Sequence, residues 1–180
     1  MNKLFDEIPR IENDRILLRR LEKGDIPCLN KMTSDEKVYR YLPTFLFEKQ
    51  YDDSEIMIEN LYENCFTAKE SLILAIEDKD TGQFCGLAEF YGFKNSLHKV
   101  CIGYRLCHHF WGKGIATAVV GLMVEFLLSQ TDIEIITAST MTQNHASERV
   151  LEKNGFICTA HSVPEDWGYE TPTAADKWFR

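Results

Sequence analysis

The chain changes periodicity along its length. Arg15 to Leu21 (RILLRRL) sets apolar residues between basic ones and predicts a short strand. Lys23-Gly24-Asp25 breaks that run, and Asp25 stands where a helix N-cap belongs, ahead of Ile26-Pro27. Helical spacing holds in part over 26–41 until Pro43 interrupts it. Ser54 to Phe66 (SEIMIENLYENCF) is apolar at 56, 57, 58, 61, 62, 65 and 66, an amphipathic helix whose Met57/Tyr62/Phe66 stripe reads as core. Ser71 to Glu77 (SLILAIE) is a continuous apolar run, the mark of a buried strand. Asp78 to Gly82 supplies a hairpin turn, with Phe84 to Phe93 as the partner strand. Asn95 and Ser96 turn the chain into a further strand, Lys99 to Leu106.

The second half has another rhythm. After Leu106 comes a short loop with Gly112 and Gly114, then a long apolar helix over 115–129. Glu134 to Thr140 (EIITAST) is rich in β-branched residues and predicts a strand. Asn144 to Lys153 predicts a helix with an asparagine N-cap, a lysine in its last turn and Asn154-Gly155 as its left-handed stop. Phe156 to Ala160 opens another strand, and a short one is expected around Lys177-Trp178-Phe179. Hairpins followed by a β-α-β-α-β run predict an α/β (α+β) domain with a mixed sheet. Neither a repeat nor a low-complexity linker divides the chain, so residues 1–180 are expected to form one domain.

Composition narrows the function. The net charge of −8 is wrong for a nucleic-acid partner and tolerates a cationic one, such as an amine or a basic peptide. No run is long enough for a membrane span, and the N-terminus lacks a signal-length apolar stretch. The six cysteines form no Cys-x-x-Cys pair, and Cys101, Cys107, His108 and His109 match no common zinc spacing. The expectation is a cytoplasmic protein with reduced thiols and no metal.

The glycine loop carries the sharpest signal. A glycine turn feeding a helix start leaves backbone N–H groups aimed at one spot, where the helix dipole adds positive charge. That suits a phosphate or pyrophosphate. A P-loop reading fails, because Cys107 stands at the first glycine and Gly114 at the hydroxyl position. A dinucleotide fingerprint fails too, because Thr117 replaces the third glycine and the nearest acids, Asp132 and Glu134, sit at the wrong end of the next strand.

Trp111-Gly-Lys-Gly-Ile-Ala-Thr117 resembles the acetyl-CoA loop of the GNAT N-acetyltransferase superfamily, with Gly114 and Ala116 on its last two fixed positions. Trp111 departs from the usual first position and is similar to the branch that acetylates N-termini of ribosomal proteins. Arg15 to Leu21 with Asp25, Ile102-Gly103-Tyr104, and the Asn144-to-Phe156 segment with Ser147 and Leu151 resemble further elements of that branch, in order. The resemblance implies a mixed, largely antiparallel sheet splayed at its centre. It implies acetyl-CoA as cosubstrate, its pantetheine arm in the split and its pyrophosphate on backbone amides from about Phe110 to Ala116. Cofactor contacts are then expected at Leu106, Cys107, His108, Trp111, Gly112, Lys113, Gly114, Ile115, Ala116, Thr117, Asn144 and Ser147, with carbonyl polarisation by an N–H near Leu106 to His108.

The catalytic residues depart from the common pattern. Leu151 occupies the place of the usual acid tyrosine, so Ser147 inherits the role of proton donor to the departing thiolate. The usual strand glutamate falls near Cys101. Glu89, between Ala88 and Phe90, is the candidate base, with burial expected to raise its pKa. His98 and His109 are further candidates, and transfer through water stays open. Trp111 is expected to pack beneath the loop. Glu165, Asp166 and Trp167 fall on a late loop that lines the acceptor site in the resembling family, where an acidic pair suits a cationic amine. The expected activity is direct N-acetylation of a primary amine, such as a protein N-terminus. A small-molecule amine or polyamine acceptor and an inactive acyl-CoA-binding module are the alternatives. Trp167, Tyr169, Trp178 and Phe179 point to an apolar patch and a homodimer.

Overall fold

The computed structural model describes residues 2–180; Met1, at the start of the expected domain, lies outside them. Eight strands form one sheet: β1 (Ile11–Glu12), β2 (Ile16–Arg19), β3 (Ser71–Asp78), β4 (Gln83–Lys94), β5 (Lys99–Leu106), β6 (Ile135–Met141), β7 (Ile157–Glu165) and β8 (Thr173–Phe179). Their spatial order is 1-2-3-4-5-6-8-7. The α-helices are α1 (Ile26–Thr33), α2 (Glu36–Tyr39), α3 (Ser54–Asn60), α4 (Ile115–Gln130) and α5 (His145–Lys153). No helix among the described residues is long and apolar enough to cross a membrane.

The sheet's centre is apolar on both faces. Leu72 to Ile76 of β3 are all buried, which is why that segment reads as an unbroken hydrophobic run. α4 buries seven side chains, from Ile115 to Leu127, so it too carries little alternation. Every pairing is antiparallel except β5 with β6, which is parallel and short. Only Lys99, Val100 and Cys101 pair across it, with Ile135, Ile136 and Thr137. Beyond Cys101 the two strands part. The split therefore opens at the sheet's centre, as the resemblance implies.

Several boundaries differ from those expected. Asp25 precedes α1 but does not cap it. Its carboxylate instead takes a two-pronged hydrogen bond from Arg19, at 2.8 Å to each oxygen. An ionic partner outcompetes the helix amides for the same acceptor atoms. The expected helix over 54–66 is α3 followed by a π-helical turn, Leu61–Phe66. Tyr62 in that turn is buried, accepting from the Leu21 N–H at 2.8 Å and donating to the Ile73 carbonyl at 3.0 Å. β7 and β8 are longer than expected, so Glu165 ends a strand rather than sitting in a loop. Trp167 and Trp178 are buried, whereas Tyr169 and Phe179 are exposed. Half of the expected apolar patch is therefore core.

The buried thiols set an alkaline limit on stability. Burial pushes Cys85 up to about 12 and Cys107 up to about 11 from an ordinary 9.0. An acid whose folded pKa is raised contributes stability that is full below the unfolded value and is lost as pH climbs toward the folded one. Denaturation in urea with reductant present should show stability falling from pH 9 to 11, by about 1 kcal/mol per pH unit for each thiol. A flat profile across that window would contradict these environments.

Candidate active site

The loop between β5 and α4 is built to leave donors free. Phe110 N–H donates to Cys107 O at 2.9 Å and Trp111 N–H to His108 O at 3.1 Å, so these two amides are spent inside a 3-10 turn. Gly112 (φ 72°) and Gly114 (φ 77°) then take left-handed backbone that other residues adopt at a cost. Gly114 is the N-cap of α4, and the first N–H groups of that helix, at Ile115, Ala116 and Thr117, have no intrahelical acceptor. Conformation, not space, is what demands glycine: a Cβ on Gly112 meets nothing within 4 Å, and one on Gly114 meets only Arg15 Nη1 at 3.8 Å. Arg15 also fixes the loop from outside, donating to Lys113 O at 3.0 Å. Trp111 is not packed beneath the loop as expected. The residue is 45% exposed, and its Nε1–H staples the turn to Leu106 O at 2.9 Å.

The split supplies a second row of backbone groups. Cys107 N–H donates to Cys85 O at 2.8 Å, on the β4 side, so it cannot polarise a carbonyl in the split. Strand alternation turns the backbone of Ile102, Tyr104 and Leu106 the other way, toward the opening. Val100 shows the same direction, its carbonyl accepting from Thr137 Oγ1 of β6. Within the expected stretch Leu106 to His108, the N–H of Leu106 is the one that strand alternation turns toward the split.

α5 closes one side. Asn144 Oδ1 accepts from the Ser147 N–H at 3.2 Å, the N-cap anticipated from the sequence. Ser147 Oγ accepts in turn from the phenol of Tyr104 at 3.2 Å. Burial raises the pKa of Tyr104, and its bond to Ser147 opposes that only partly, so it stays a protonated donor at neutral pH. Leu151 is buried against the same cleft.

The floor is ionic. Arg105, on β5, is buried and holds two carboxylates. It grips Glu48 in a two-pronged pair, with Nη2 to Oε2 at 2.6 Å, and donates from Nη1 to Glu89 Oε2 at 2.7 Å. Tyr39 adds a hydrogen bond to Glu48 at 3.0 Å. Burial opposes the Arg105 charge, but Glu48 and Glu89 outweigh it and raise its pKa. Glu89, expected as a buried acid between Ala88 and Phe90, is therefore half of an ion pair. Two carboxylates against one guanidinium leave the cluster net negative.

These parts face one cleft of about 640 Å³. It runs from Gly112 and Gly114 past Tyr104 and Ser147 to Glu89, Glu165, Asp166 and Trp167. The Acetyltransferase (GNAT) domain profile matches residues 15–157 of this chain. The chain belongs to the GNAT acetyltransferase family. It is 27% identical over 168 residues to the N-acetyltransferase YoaA of Bacillus subtilis (strain 168), itself uncharacterised, with 93% of each chain covered. RimL, a ribosomal L7/L12 α-N-protein acetyltransferase solved with coenzyme A, superposes with a TM-score of 0.79 at 16% identity, over 96% of this chain and 97% of that one. The Vibrio cholerae spermidine N-acetyltransferase, solved with CoA and spermine, gives 0.76 at 18%, over 93% and 96%.

In this GNAT acetyltransferase the expected site residues divide. Leu106, Trp111, Gly112, Gly114, Ile115, Ala116, Thr117, Asn144, Ser147 and Glu89 line the cleft. Cys107, His108 and Lys113 do not. Cys107 is buried, His108 packs edge-on against Trp111, and Lys113 Nζ sits 5.4 Å from the Phe110 ring centre. His98 and His109 also lie off the cleft; His98 Nδ1 is 2.8 Å from Asp132 O. Cys101 and Cys107 join no metal-ligating group among the described residues. The sequence reading missed Arg105, Glu48, Tyr39 and Tyr104. It also missed Arg149 and Lys153, two α5 cations on the cleft wall. Only Arg105 gave a local sign, a lone charge inside the apolar run Val100 to Cys107.

Proposed function

We propose that this acetyltransferase moves an acetyl group from acetyl-CoA directly to a primary amine on a cationic acceptor, foremost a polypeptide N-terminus. The supporting observation is the single cleft that joins a loop of free amides to an acidic wall. At the loop end, the amides from Gly112 to Thr117 suit the pyrophosphate, with Arg149 and Lys153 nearby for remaining phosphate charge. In the split, the backbone of Ile102, Tyr104 and Leu106 offers strand-like pairing to an amide-bearing arm. Acetyl-CoA supplies the activated thioester. At the other end Glu165 pairs with Lys177, and Glu89 shares Arg105 with Glu48. The surplus carboxylate of that cluster and Asp166 leave this end net negative, which favours a positively charged amine. No cysteine is among the described residues that line the cleft, which favours direct transfer over a covalent acyl-enzyme.

In this reading Leu106 N–H steadies the developing negative charge on the acetyl oxygen. As the C–S bond breaks, Ser147 gives its hydroxyl proton or a hydrogen bond to the thiolate, and a proton it gives is replaced from solvent as CoA leaves. Tyr104 occupies an acceptor site on Ser147 Oγ, which leaves the serine hydrogen free to point into the cleft. The ammonium proton passes to Glu89 or to water. Ser147→Ala should lower kcat about a hundredfold with CoA affinity nearly unchanged. Tyr104→Phe should cost roughly two- to tenfold, the worth of one neutral hydrogen bond. Adding it to Ser147→Ala should cost little more, which steady-state kinetics on the double variant will show. Full turnover in Ser147→Ala would reduce the serine to a helix-cap partner.

The acceptor is tested by release of free CoA with a panel of amines. Peptides with free N-termini should turn over, and the same peptides with blocked N-termini should not. Spermidine carries the second reading, which the acidic wall also favours. CoA binding without turnover on any amine would replace both with an inactive binding module.

A further inference from the structure

The β7–β8 hairpin gathers a second set of reactive side chains, none of which lines the cleft. Cys158, His161 and Asp176 each present a donor atom, and the three atoms lie within 4.8 Å of one another. Cys158 Sγ is 3.4 Å from His161 Nδ1, and His161 Nδ1 is 3.5 Å from Asp176 Oδ1. Regular alternation would send residues 158 and 161 to opposite faces of the strand. The strand is not regular. Its pairing with β8 shifts register between Cys158 and Ala160 and again between Ala160 and Val163. Ser162 lies inside the second shift at φ 53°, left-handed backbone that a serine adopts at a cost. Its N–H donates to Asp176 Oδ1 at 2.8 Å, which fixes the carboxylate. The distorted backbone brings a thiol, an imidazole and a carboxylate to one point.

We propose that Cys158, His161 and Asp176 form a binding site for a divalent metal of the zinc class. Tetrahedral zinc with ordinary bond lengths sets sulfur and nitrogen ligands about 3.6 Å apart, and nitrogen and oxygen ligands about 3.4 Å apart. The Cys158–His161 and His161–Asp176 spacings lie close to those edges, and the third, Cys158 to Asp176, is within 4.8 Å. A thiolate beside an imidazole favours zinc over magnesium or calcium, which take oxygen ligands. Three protein ligands leave a fourth position for water. His161 is exposed and gives an entry path, while Asp176 is buried and held. The same hairpin ends at Glu165 in the cleft, so a bound ion would brace the bulged stretch beneath the acceptor wall.

The test uses the full chain, stripped with a chelator, kept reduced and titrated with Co²⁺ and then Zn²⁺. A sulfur-to-cobalt charge-transfer band should appear at one equivalent and vanish as Zn²⁺ displaces Co²⁺. Cys158→Ser should abolish the band, and Cys28→Ser, at an exposed thiol elsewhere, should keep it. His161→Ala, at an exposed position that should not disturb folding, should weaken Co²⁺ binding at least about tenfold. Absence of a thiolate band, its survival in Cys158→Ser, or unchanged affinity in His161→Ala would each overturn the site.

Discussion

Arg105→Met is expected to destabilise the protein by about 3–5 kcal/mol, the cost of breaking a buried ion pair from one side. The guanidinium is buried and answers two carboxylates, Glu48 and Glu89. Removing it leaves Glu48 inside the protein with, among the described residues, only the Tyr39 hydroxyl as a side-chain hydrogen-bond partner. An unpaired buried charge costs more than the pair ever contributed. Adding Glu48→Gln removes that charge and should restore a large part of the loss. Urea denaturation of the two single variants and the double variant gives the coupling directly. A loss below about 1 kcal/mol in Arg105→Met would mean that water reaches this cluster and screens it.

Gly114→Val should weaken CoA binding at least about a hundredfold, or roughly 2.7 kcal/mol. The residue sits at φ 77° as the N-cap of α4. A β-branched side chain resists that backbone more than alanine does, so the loop must move and carry its amides off target. Gly114→Ala should fall between, near tenfold. The fold should survive both changes, since the added Cβ meets nothing closer than Arg15 Nη1 at 3.8 Å. Calorimetry measures the affinity and circular dichroism the fold. Unchanged affinity in the valine variant would end the acetyl-CoA reading.

The loop and both flanking elements were legible because each is written locally. The glycine pair, the Asn144 cap and the apolar strands depend on neighbours a few residues away. The ionic floor was not legible, because Glu48 and Arg105 stand 57 residues apart and only the folded sheet brings them together. For the same reason Glu89 was seen as a carboxylate in an apolar strand but without its partner. Tyr104 was noticed as part of a strand, yet its bond to Ser147 spans 43 residues. Asp25 failed as a cap because Arg19 claimed its oxygens. The π-helical turn at Leu61–Phe66 has the same apolar pattern as an ordinary helix, so periodicity alone does not separate them.

The short parallel pairing of β5 with β6 leaves the sheet unfinished by its own chain. After Cys101 and Thr137 the ladder stops, and β5 continues with one row of backbone groups unmatched. A molecule that lies there in extended form completes the ladder from outside, as a missing strand would. Such a molecule binds the folded chain and not the unfolded one. At a hundredfold excess over its dissociation constant it adds about 2.7 kcal/mol to stability. The melting temperature of this protein should thus rise as the gap fills.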